Sequence, residues 1–270
     1  MGDDKQAIYA FRGADANALD RLKTELDAVE LPLTITYRCP KAVVAQALPL
    51  CPDFQAAETA PEGEVKSLAM ADVVKTAEPS DFILSRLNAP LAALCLTFYR
   101  EGKPARIEGR DLVKGLVTLI KRQKADAIPT LLERLHMWTD RETAKLRATK
   151  RKAAESRIET LYDQMETIDV LAEGLATVAE LLARIEELFG EQRGPAIVLS
   201  TIHRAKGLEA ARVFLLMDTL YCRGKRINEE ESNIAYVGIT RAKETLFLVT
   251  KGGGLYTSPV RSNGKEEEKR

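Results

Sequence analysis

The chain has 270 residues, long enough for one large domain or two modest ones with a buried core. It is 45% hydrophobic and 30% charged, and its 40 basic residues balance its 40 acidic ones. This is the composition of a globular protein, and the zero net charge excludes a global basic field that attracts nucleic acid, while local contacts stay open.

The first hundred residues alternate between helical patterns and apolar runs. Residues 1–30 are predicted to form a loop and a helix, which Asp15 or Asn17 would cap, with leucines on one face. The elements predicted next are a strand at 31–36, a helix at 40–48, a loop at 49–63, strands at 64–69 and 81–86, and a helix at 90–100. Gly102 is the predicted stop signal of the last helix.

Residues 103–192 differ from the rest because they are almost free of strand signals. Leucine and isoleucine recur at helical spacing among Lys, Arg, Glu and Ala, which predicts an all-helical insertion with a basic stretch at 141–157. Apolar runs then predict strands at 196–199, 213–217 and 245–250. The glycine-rich and charged tail, 252–270, is predicted to be disordered.

Polar, charged and glycine residues gather beside the predicted strands. Residues 200–209 read STIHRAKGLE and residues 236–243 read YVGITRAK. Open α/β sheets bind ligands where strands lead into helices, so we expect a binding site at these positions. Two further segments carry similar residue types: 2–14 reads GDDKQAIYAFRGA and 36–40 reads TYRCP.

Taken in chain order, these four segments resemble the third to sixth motifs of superfamily 1 DNA helicases of the UvrD/Rep/PcrA type. The resemblance implies an α/β fold, a RecA-like parallel sheet flanked by helices, which is the P-loop NTPase-like second motor domain of that family. Residues 31–102 and 193–251 would form this domain, and 103–192 would be a reduced form of the family's helical accessory subdomain. Residues 1–30 would be the end of the first motor domain and a linker.

The sequence contains no G-x-x-x-x-G-K-[ST] loop and no acidic run at a strand end that could hold magnesium. In the family these elements lie upstream of the third motif. We therefore expect the C-terminal part of a motor: a fragment, a truncated gene product or one half of a split protein. ATP and Mg²⁺ would be held mainly by a missing N-terminal RecA-like domain, and this chain alone would not hydrolyse ATP.

Three residues match positions that act on the γ-phosphate in the family. Arg241 is the first, because a guanidinium on a helix that faces a domain cleft stabilises charge on a transferring phosphoryl group. Arg38 matches a second arginine that reaches the γ-phosphate. Gln6 matches the glutamine that senses it.

Four further residues would bind the rest of the nucleotide. The resemblance implies that Tyr37 stacks on the adenine and that Glu209 accepts hydrogen bonds from the ribose hydroxyls. Lys206 would supply positive charge, and Gly207 would allow close approach of the backbone.

The DNA-binding residues implied by the resemblance lie in the third and fifth motifs. Phe11, with Tyr9, would stack on the bases of single-stranded DNA, which tolerates any sequence. Thr201 and His203 would contact the DNA backbone, and Arg86 would meet a phosphate. The partners expected are single-stranded DNA and junctions between single- and double-stranded DNA.

Alternatives stay open at several of these positions. The basic helix at 141–152 is either a duplex contact or, by the ordinary interpretation, a solvated face. Ser232 and the pair Ala210 and Ala211 depart from the residues usual in the family, which affects local packing rather than phosphate chemistry.

The implied activity is ATP-driven 3′ to 5′ translocation on single-stranded DNA with duplex unwinding, in repair, recombination or phage replication. The first alternative is a truncated, ATPase-inactive relative that binds single-stranded DNA or a protein partner. A subunit of a recombination nuclease complex is the second, although no nuclease segment follows Val249.

The remaining composition gives simpler expectations. Four cysteines without a C-x-x-C pair and two distant histidines predict reduced thiols and no metal site on this chain. No apolar run reaches about 18 residues and no signal peptide is recognisable, so we expect no membrane contact. A cytoplasmic, nucleoid-associated protein of a bacterium or phage is expected.

Overall fold

A computed structural model describes residues 4–6, 8, 18–27, 29, 33–149, 152–189, 194–220 and 229–252. Tyr9 and Phe11, the expected base-stacking residues, therefore lie outside the described residues. So does nearly all of the tail that was predicted to be disordered.

The longer helices follow the predicted pattern, whereas two four-residue helices, Val73–Thr76 and Ile202–Ala205, were not predicted. In chain order the helices are α1 (Ala18–Leu26), α2 (Lys41–Ala47), α3 (Val73–Thr76), α4 (Ala89–Arg100), α5 (Arg110–Arg122), α6 (Ile128–Ala148), α7 (Lys152–Ala172), α8 (Val178–Phe189), α9 (Ile202–Ala205) and α10 (Glu229–Ile239). Gly102 adopts φ +68° just after α4, as its predicted role as a stop signal requires. The predicted apolar face of α1 is largely exposed, since Leu22 and Leu26 are 48% and 70% accessible.

Within the described residues, eight strands form one large sheet and one small one. They are β1 (Ile35–Thr36), β2 (Gln55–Ala56), β3 (Glu64–Ala69), β4 (Phe82–Ser85), β5 (Ala105–Ile107), β6 (Ile197–Thr201), β7 (Ala210–Leu216) and β8 (Ala242–Thr250). The large sheet has the order β3-β8-β7-β4-β6-β5, and all of its neighbouring pairs are parallel. The predicted fold class is therefore confirmed: an α/β domain with a parallel sheet flanked by helices.

Two short strands were not predicted. Gln55–Ala56 pairs in parallel with Ile35–Thr36 inside the segment expected to be a loop. Ala105–Ile107 pairs with β6 at the edge of the large sheet, although the helical insertion was expected to begin at residue 103. The helical segment therefore starts at Arg110, after the edge strand β5.

Each face of the large sheet packs against its own group of helices. On one face, Val213, Leu215 and Leu248 pack with the residues of α2 and α10. On the other, Phe214 and Phe247 stack with ring centroids 4.3 Å apart and face α4 and the insertion. Successive side chains of one strand thus point to opposite cores, which is the pattern of a sheet buried on both sides.

The insertion is held by helix-end contacts as well as by its apolar stripes. Thr177 and Glu180 form a reciprocal capping box at the start of α8, in which Glu180 Oε2 accepts from Thr177 N at 2.8 Å. Arg134 donates to the last carbonyls after α5, and Arg184 donates to those of α7. Within the described residues, the helices all fall short of the length and hydropathy needed to cross a bilayer.

Candidate functional site

The residues predicted to be functional lie at opposite edges of the large sheet. Thr201 ends β6 at its carboxyl edge, and α9 then leads across to Glu209, which precedes β7. Arg241 precedes β8, and the amide of Ala210 donates to its carbonyl oxygen at 3.1 Å. The expectation of one site where strands lead into helices therefore does not hold for Glu209 and Arg241, because the connecting segment carries them to the amino edge.

At the amino edge, one carboxylate lies between two cations. Glu209 accepts from Arg38 Nε at 2.8 Å through one oxygen and lies 3.3 Å from Lys243 Nζ through the other. We call these three residues the Glu209 cluster. Their side chains are about two-fifths exposed (39–44%), so solvent screens both ion pairs. Because such ion pairs are weak, a ligand can replace them at a small cost in free energy.

Arg241 lies behind this cluster and is 1% exposed. It was expected on a helix facing a cleft, but α10 ends at Ile239 and Arg241 occupies the turn that follows. Its guanidinium donates to the carbonyls of Val237 at 2.9 Å and Leu208 at 3.3 Å. Burial, followed by the charge of Arg38, lowers the pKa of Arg241, while carbonyls at the helix end stabilise the positive charge.

The residues next to the Glu209 cluster differ in solvent exposure and in backbone conformation. Tyr37 is 85% exposed, so its ring is available for stacking. Gly207 has φ +91°, a conformation that side chains rarely adopt, and a Cβ there would meet open space. Arg38 is positioned by Thr36, whose Oγ1 accepts from the amide of Arg38 at 3.2 Å.

The amino-terminal segment contacts the same region. Lys206 Nζ donates to the carbonyl oxygen of Gln6 at 2.8 Å, so the two residues predicted from separate motifs are adjacent. Lys5 lies 3.6 Å from Glu229, and Ile8 is fully buried in the core that includes α10. Gln6 is half-buried at this junction.

Replacing Glu209 with glutamine is expected to lower the free energy of unfolding by less than about 1 kcal/mol, because exposed ion pairs contribute little. Urea denaturation followed by circular dichroism measures this change. Lys243→Ala is the matched control, since it removes one of the two pairs and keeps the carboxylate. A loss above about 2 kcal/mol for Glu209→Gln would show that the cluster is a rigid structural element rather than an exchangeable one.

At the carboxyl edge, the side chains predicted to contact DNA are less exposed than expected. Thr201 is buried, with 7% of its surface accessible, and His203 is half-buried on α9. The Arg86 guanidinium lies 3.1 Å from Glu231 and 3.9 Å from Glu159. A DNA phosphate would therefore have to replace these carboxylates before Arg86 could bind it.

A buried polar network connects this edge to the helical insertion. Asp163 on α7 accepts from the amides of Asn88 at 2.8 Å and Ala89 at 3.2 Å, and from Asn88 Nδ2 at 2.6 Å. Asn88 Oδ1 in turn accepts from Arg204 on α9 at 3.4 Å. Arg204 also donates to the carbonyl of Glu108 at 3.2 Å. One chain of hydrogen bonds therefore joins α4, α7 and the 200–209 segment.

The position of the Arg204 side chain accounts for the glycine at residue 109. Gly109 precedes α5 with φ +148°, and a Cβ at this position would lie 2.5 Å from the Arg204 guanidinium. Sequence reasoning did not single out Asp163, Arg204 or Lys243. Arg204 and Lys243 lie inside the 200–209 and 236–243 motifs, so their positions could have marked them as candidate site residues. Nothing in the sequence distinguishes Asp163 from the solvated acids of the insertion.

The amino edge suits a nucleotide better than a metal ion. It offers an exposed aromatic ring at Tyr37, a carboxylate at Glu209, and guanidinium groups at Arg38 and Arg241. Both oxygens of Glu209 face cations, and the described part of the chain contains no group of three potential metal ligands. These residues therefore fit the base, ribose and phosphates of ATP but not Mg²⁺.

Comparison with known proteins identifies relatives of this chain. The chain is 35% identical over 105 residues to the ATP-dependent DNA helicase PcrA of Leuconostoc citreum, which covers 36% of this chain and 14% of that protein. PcrA of Bacillus subtilis is 34% identical over 123 residues, or 38% and 16% of the two chains. A probable DNA helicase II homolog of Rickettsia felis is 32% identical over 111 residues, 35% and 17%.

The aligned segments thus span about a sixth of the length of these relatives. The model of the UvrD-like helicase C-terminal domain matches residues 113–252, which is just over half of the chain and extends from within α5 to the end of β8. The chain belongs to the family of UvrD-like helicase C-terminal domains.

Proposed function

We propose that this chain forms one side of the nucleotide cleft of an ATP-dependent DNA helicase. The motor would translocate 3′ to 5′ along single-stranded DNA and unwind duplex at junctions. The observation that carries the proposal is the arrangement of Arg38, Glu209 and Arg241 beside the exposed Tyr37. A second RecA-like domain would supply the main ligands of the triphosphate and of Mg²⁺.

The chain's own residues have distinct roles in this proposal. Bound ATP supplies the phosphoanhydride bond whose hydrolysis drives the motor. Glu209 would exchange Arg38 for the ribose hydroxyls, which releases the Arg38 guanidinium toward phosphate oxygens. Arg241, already charged and held by carbonyls, would stabilise negative charge from behind Arg38. Lys206, bound to Gln6, would couple this change to the amino-terminal segment.

The DNA-binding surface would include the carboxyl edge and the third motif. Thr201 and His203 would contact backbone phosphates, and Phe11 with Tyr9 would stack on bases. Arg86 would join them after exchange of its two glutamates. These contacts read no base edges, so we expect binding without sequence preference. Action on DNA would place the protein in the cytoplasm of a bacterium, at the nucleoid.

The test is binding of labelled single-stranded oligonucleotides by the purified chain, measured by fluorescence anisotropy at several salt concentrations. Phe11→Ala is expected to weaken binding by about tenfold, since each stacked base contributes about 1–3 kcal/mol. The salt dependence should not change, because no phosphate contact is lost. His203→Ala should weaken binding less, because one hydrogen bond contributes about 1 kcal/mol.

Leu33→Ala is a suitable control, since this side chain is 80% exposed and carries no proposed role. Equal affinities for the parent chain and Phe11→Ala would remove the third motif from the DNA-binding surface. Absence of any single-strand binding at low salt would contradict the proposed function.

One observation favours a second candidate, an ATPase-inactive module that binds single-stranded DNA or a protein partner. Arg241 is 1% exposed, and three of its N–H groups already have acceptors. Such a module would bind DNA with unchanged affinity after Arg241→Lys and after addition of ATP. The motor proposal instead requires nucleotide to alter DNA affinity once the partner RecA-like domain is present.

A further inference from the structure

A groove of about 780 Å³ lies in the helical insertion, between α5, α6 and α7. We call it the insertion groove. Its apolar lining includes the side chains of Leu119, Trp138, Leu146 and Leu161. The volume is about five times the ~150 Å³ that accommodates benzene, enough for several apolar side chains. The groove shares no lining residue with the Glu209 cluster.

Gly115 widens one wall of this groove. It lies in the middle of α5, where glycine is about 1 kcal/mol less favourable than alanine. A Cβ at this position would meet only Gln164 Nε2, at 3.5 Å, which is an ordinary contact. Packing within the chain therefore does not require glycine here, whereas any longer side chain would project into the groove.

The polar groups of the groove favour an acidic ligand. Its charged lining residues are Lys114, Arg122, Arg157 and one acid, Glu142. Arg122 also lies 5.4 Å from the centre of the Trp138 ring. The Trp138 indole Nε1 is buried and has no hydrogen-bond acceptor among the described residues. Donors and cations therefore exceed acceptors in the lining.

The spacing of the cations indicates the shape of the ligand. Lys114 and Arg122 lie eight positions apart on α5, which is about 12 Å along the helix axis. Two turns of a bound helix cover about 11 Å, so acids spaced two turns apart would face both cations. Arg157 lies across the groove on α7. One small anion cannot reach all three positions, and DNA has no apolar side chains to fill the floor between them.

We propose that the insertion groove binds an acidic amphipathic helix of a partner protein. Apolar residues at i, i+3 or i+4, and i+7 of that helix would occupy the floor formed around Trp138. Acidic residues on its flanks would pair with Lys114, Arg122 and Arg157. This interaction goes beyond the proposed motor function and depends on neither ATP nor the DNA-binding surface.

The first experiment selects peptides of about 14 residues, roughly four helical turns, from a displayed random library against the full chain. The Gly115→Leu variant serves for counter-selection, because its leucine fills the groove while favouring helix formation. Peptides retained only by the parent chain are expected to share helically spaced apolar residues and acids about two turns apart.

The second experiment uses Trp138, the only tryptophan of the chain, as a reporter inside the groove. Titration with a selected peptide that lacks tryptophan should change the Trp138 emission and saturate. Arg122→Glu should weaken this binding by at least about tenfold, as expected when an attractive charge pair becomes repulsive. A peptide in which lysine replaces the glutamates should regain affinity for Arg122→Glu, which a misfolded variant could not do.

Three results would overturn the proposal. The first is a selection that enriches no peptide over Gly115→Leu, while circular dichroism shows that both chains are folded. The enriched peptides could lack the acidic pattern. In the third result, single- or double-stranded oligonucleotides change the Trp138 emission and peptides do not. If Gly115→Leu abolishes this change, the groove is a nucleic-acid site.

Discussion

Replacing Arg241 with alanine is expected to reduce ATP hydrolysis by about 10³-fold in a motor that contains this chain and its partner RecA-like domain. Nucleotide affinity should remain nearly unchanged, because an arginine of this kind acts on charge that develops in the transition state. The guanidinium lies behind Arg38 and Glu209 and is held by the carbonyls of Val237 and Leu208. In the proposed motor, such preorganised charge would stabilise the transition state without reorganisation during the reaction.

The same contacts give Arg241 a structural role, which must be measured separately. Alanine would remove the Arg241 donors to the carbonyls of Val237 and Leu208, so part of any loss of activity could reflect instability. Arg212→Ala is the matched control: this arginine pairs with Glu78 and contacts the Phe214 and Phe247 rings, on the same sheet. Steady-state hydrolysis and thermal midpoints of both variants separate the two effects. If Arg241→Ala hydrolyses ATP within a few-fold of the parent, Arg241 has no part in the mechanism.

Long elements of the fold could be predicted from the sequence because burial imposes a pattern on them. The run at 64–69 coincides with β3, and the runs at 213–217 and 245–250 mark β7 and β8, although both strands begin three residues earlier. The apolar runs of β7 and β8 are recognisable because strands buried on both faces are continuously apolar. Helices α5 to α8 follow the 3.6-residue stripes of the insertion. Strands β2 and β5 have two and three residues, and their pairing depends on distant partners that no local pattern reveals.

The candidate site was only partly predictable, and the reason is geometric. The resemblance of the motifs to a helicase family pointed to Arg38, Glu209 and Arg241, which the structure brings together. Glu209 reaches the amino edge because α9 has only four residues. The sequence pattern does not show that this helix is so short. The burial of Arg241 is a tertiary property, because it results from the approach of the 207–209 segment to the end of α10. Residue type alone gives no indication of it.

Asp163 shows a second limit of sequence-based prediction. It lies among other acids on α7, yet it is 6% exposed and accepts three hydrogen bonds from Asn88 and Ala89 at the start of α4. Because Asn88 also binds Arg204, Asp163 links the insertion to the segment that carries His203. A conformational change in the insertion could thus be transmitted to the proposed DNA-binding edge through the hydrogen bonds of Asp163, Asn88 and Arg204.

Replacing Asp163 with alanine is expected to lower the free energy of unfolding by about 3 kcal/mol. Two backbone amides at the start of α4 and the Asn88 side chain would lose their acceptor, and each of these three hydrogen bonds contributes about 0.5–1.5 kcal/mol. For a chain of this size the thermal midpoint should fall by roughly 10 °C. Asp163→Asn should cost about 1 kcal/mol, because it keeps the acceptor for the amides but places an NH₂ group against Asn88 Nδ2.

The pH dependence of these variants gives a further test. Burial raises the pKa of the Asp163 carboxyl above its ordinary value, although the hydrogen bonds from Asn88 and Ala89 oppose the shift. The folded chain therefore retains a proton at pH values where the unfolded chain has lost it. The stability that Asp163 contributes is greatest below its ordinary pKa and declines as the pH rises through the folded pKa.

The stability difference between the parent and Asp163→Asn should accordingly be larger near pH 4 than near pH 7. Urea denaturation of both proteins across this range measures it. Burial also raises the pKa of Asp81, but that carboxyl is present in both proteins and cancels in the difference. A difference that grows with rising pH would mean that the hydrogen bonds from Asn88 and Ala89 outweigh desolvation. Asp163 would then stabilise the start of α4 as a charged group at neutral pH.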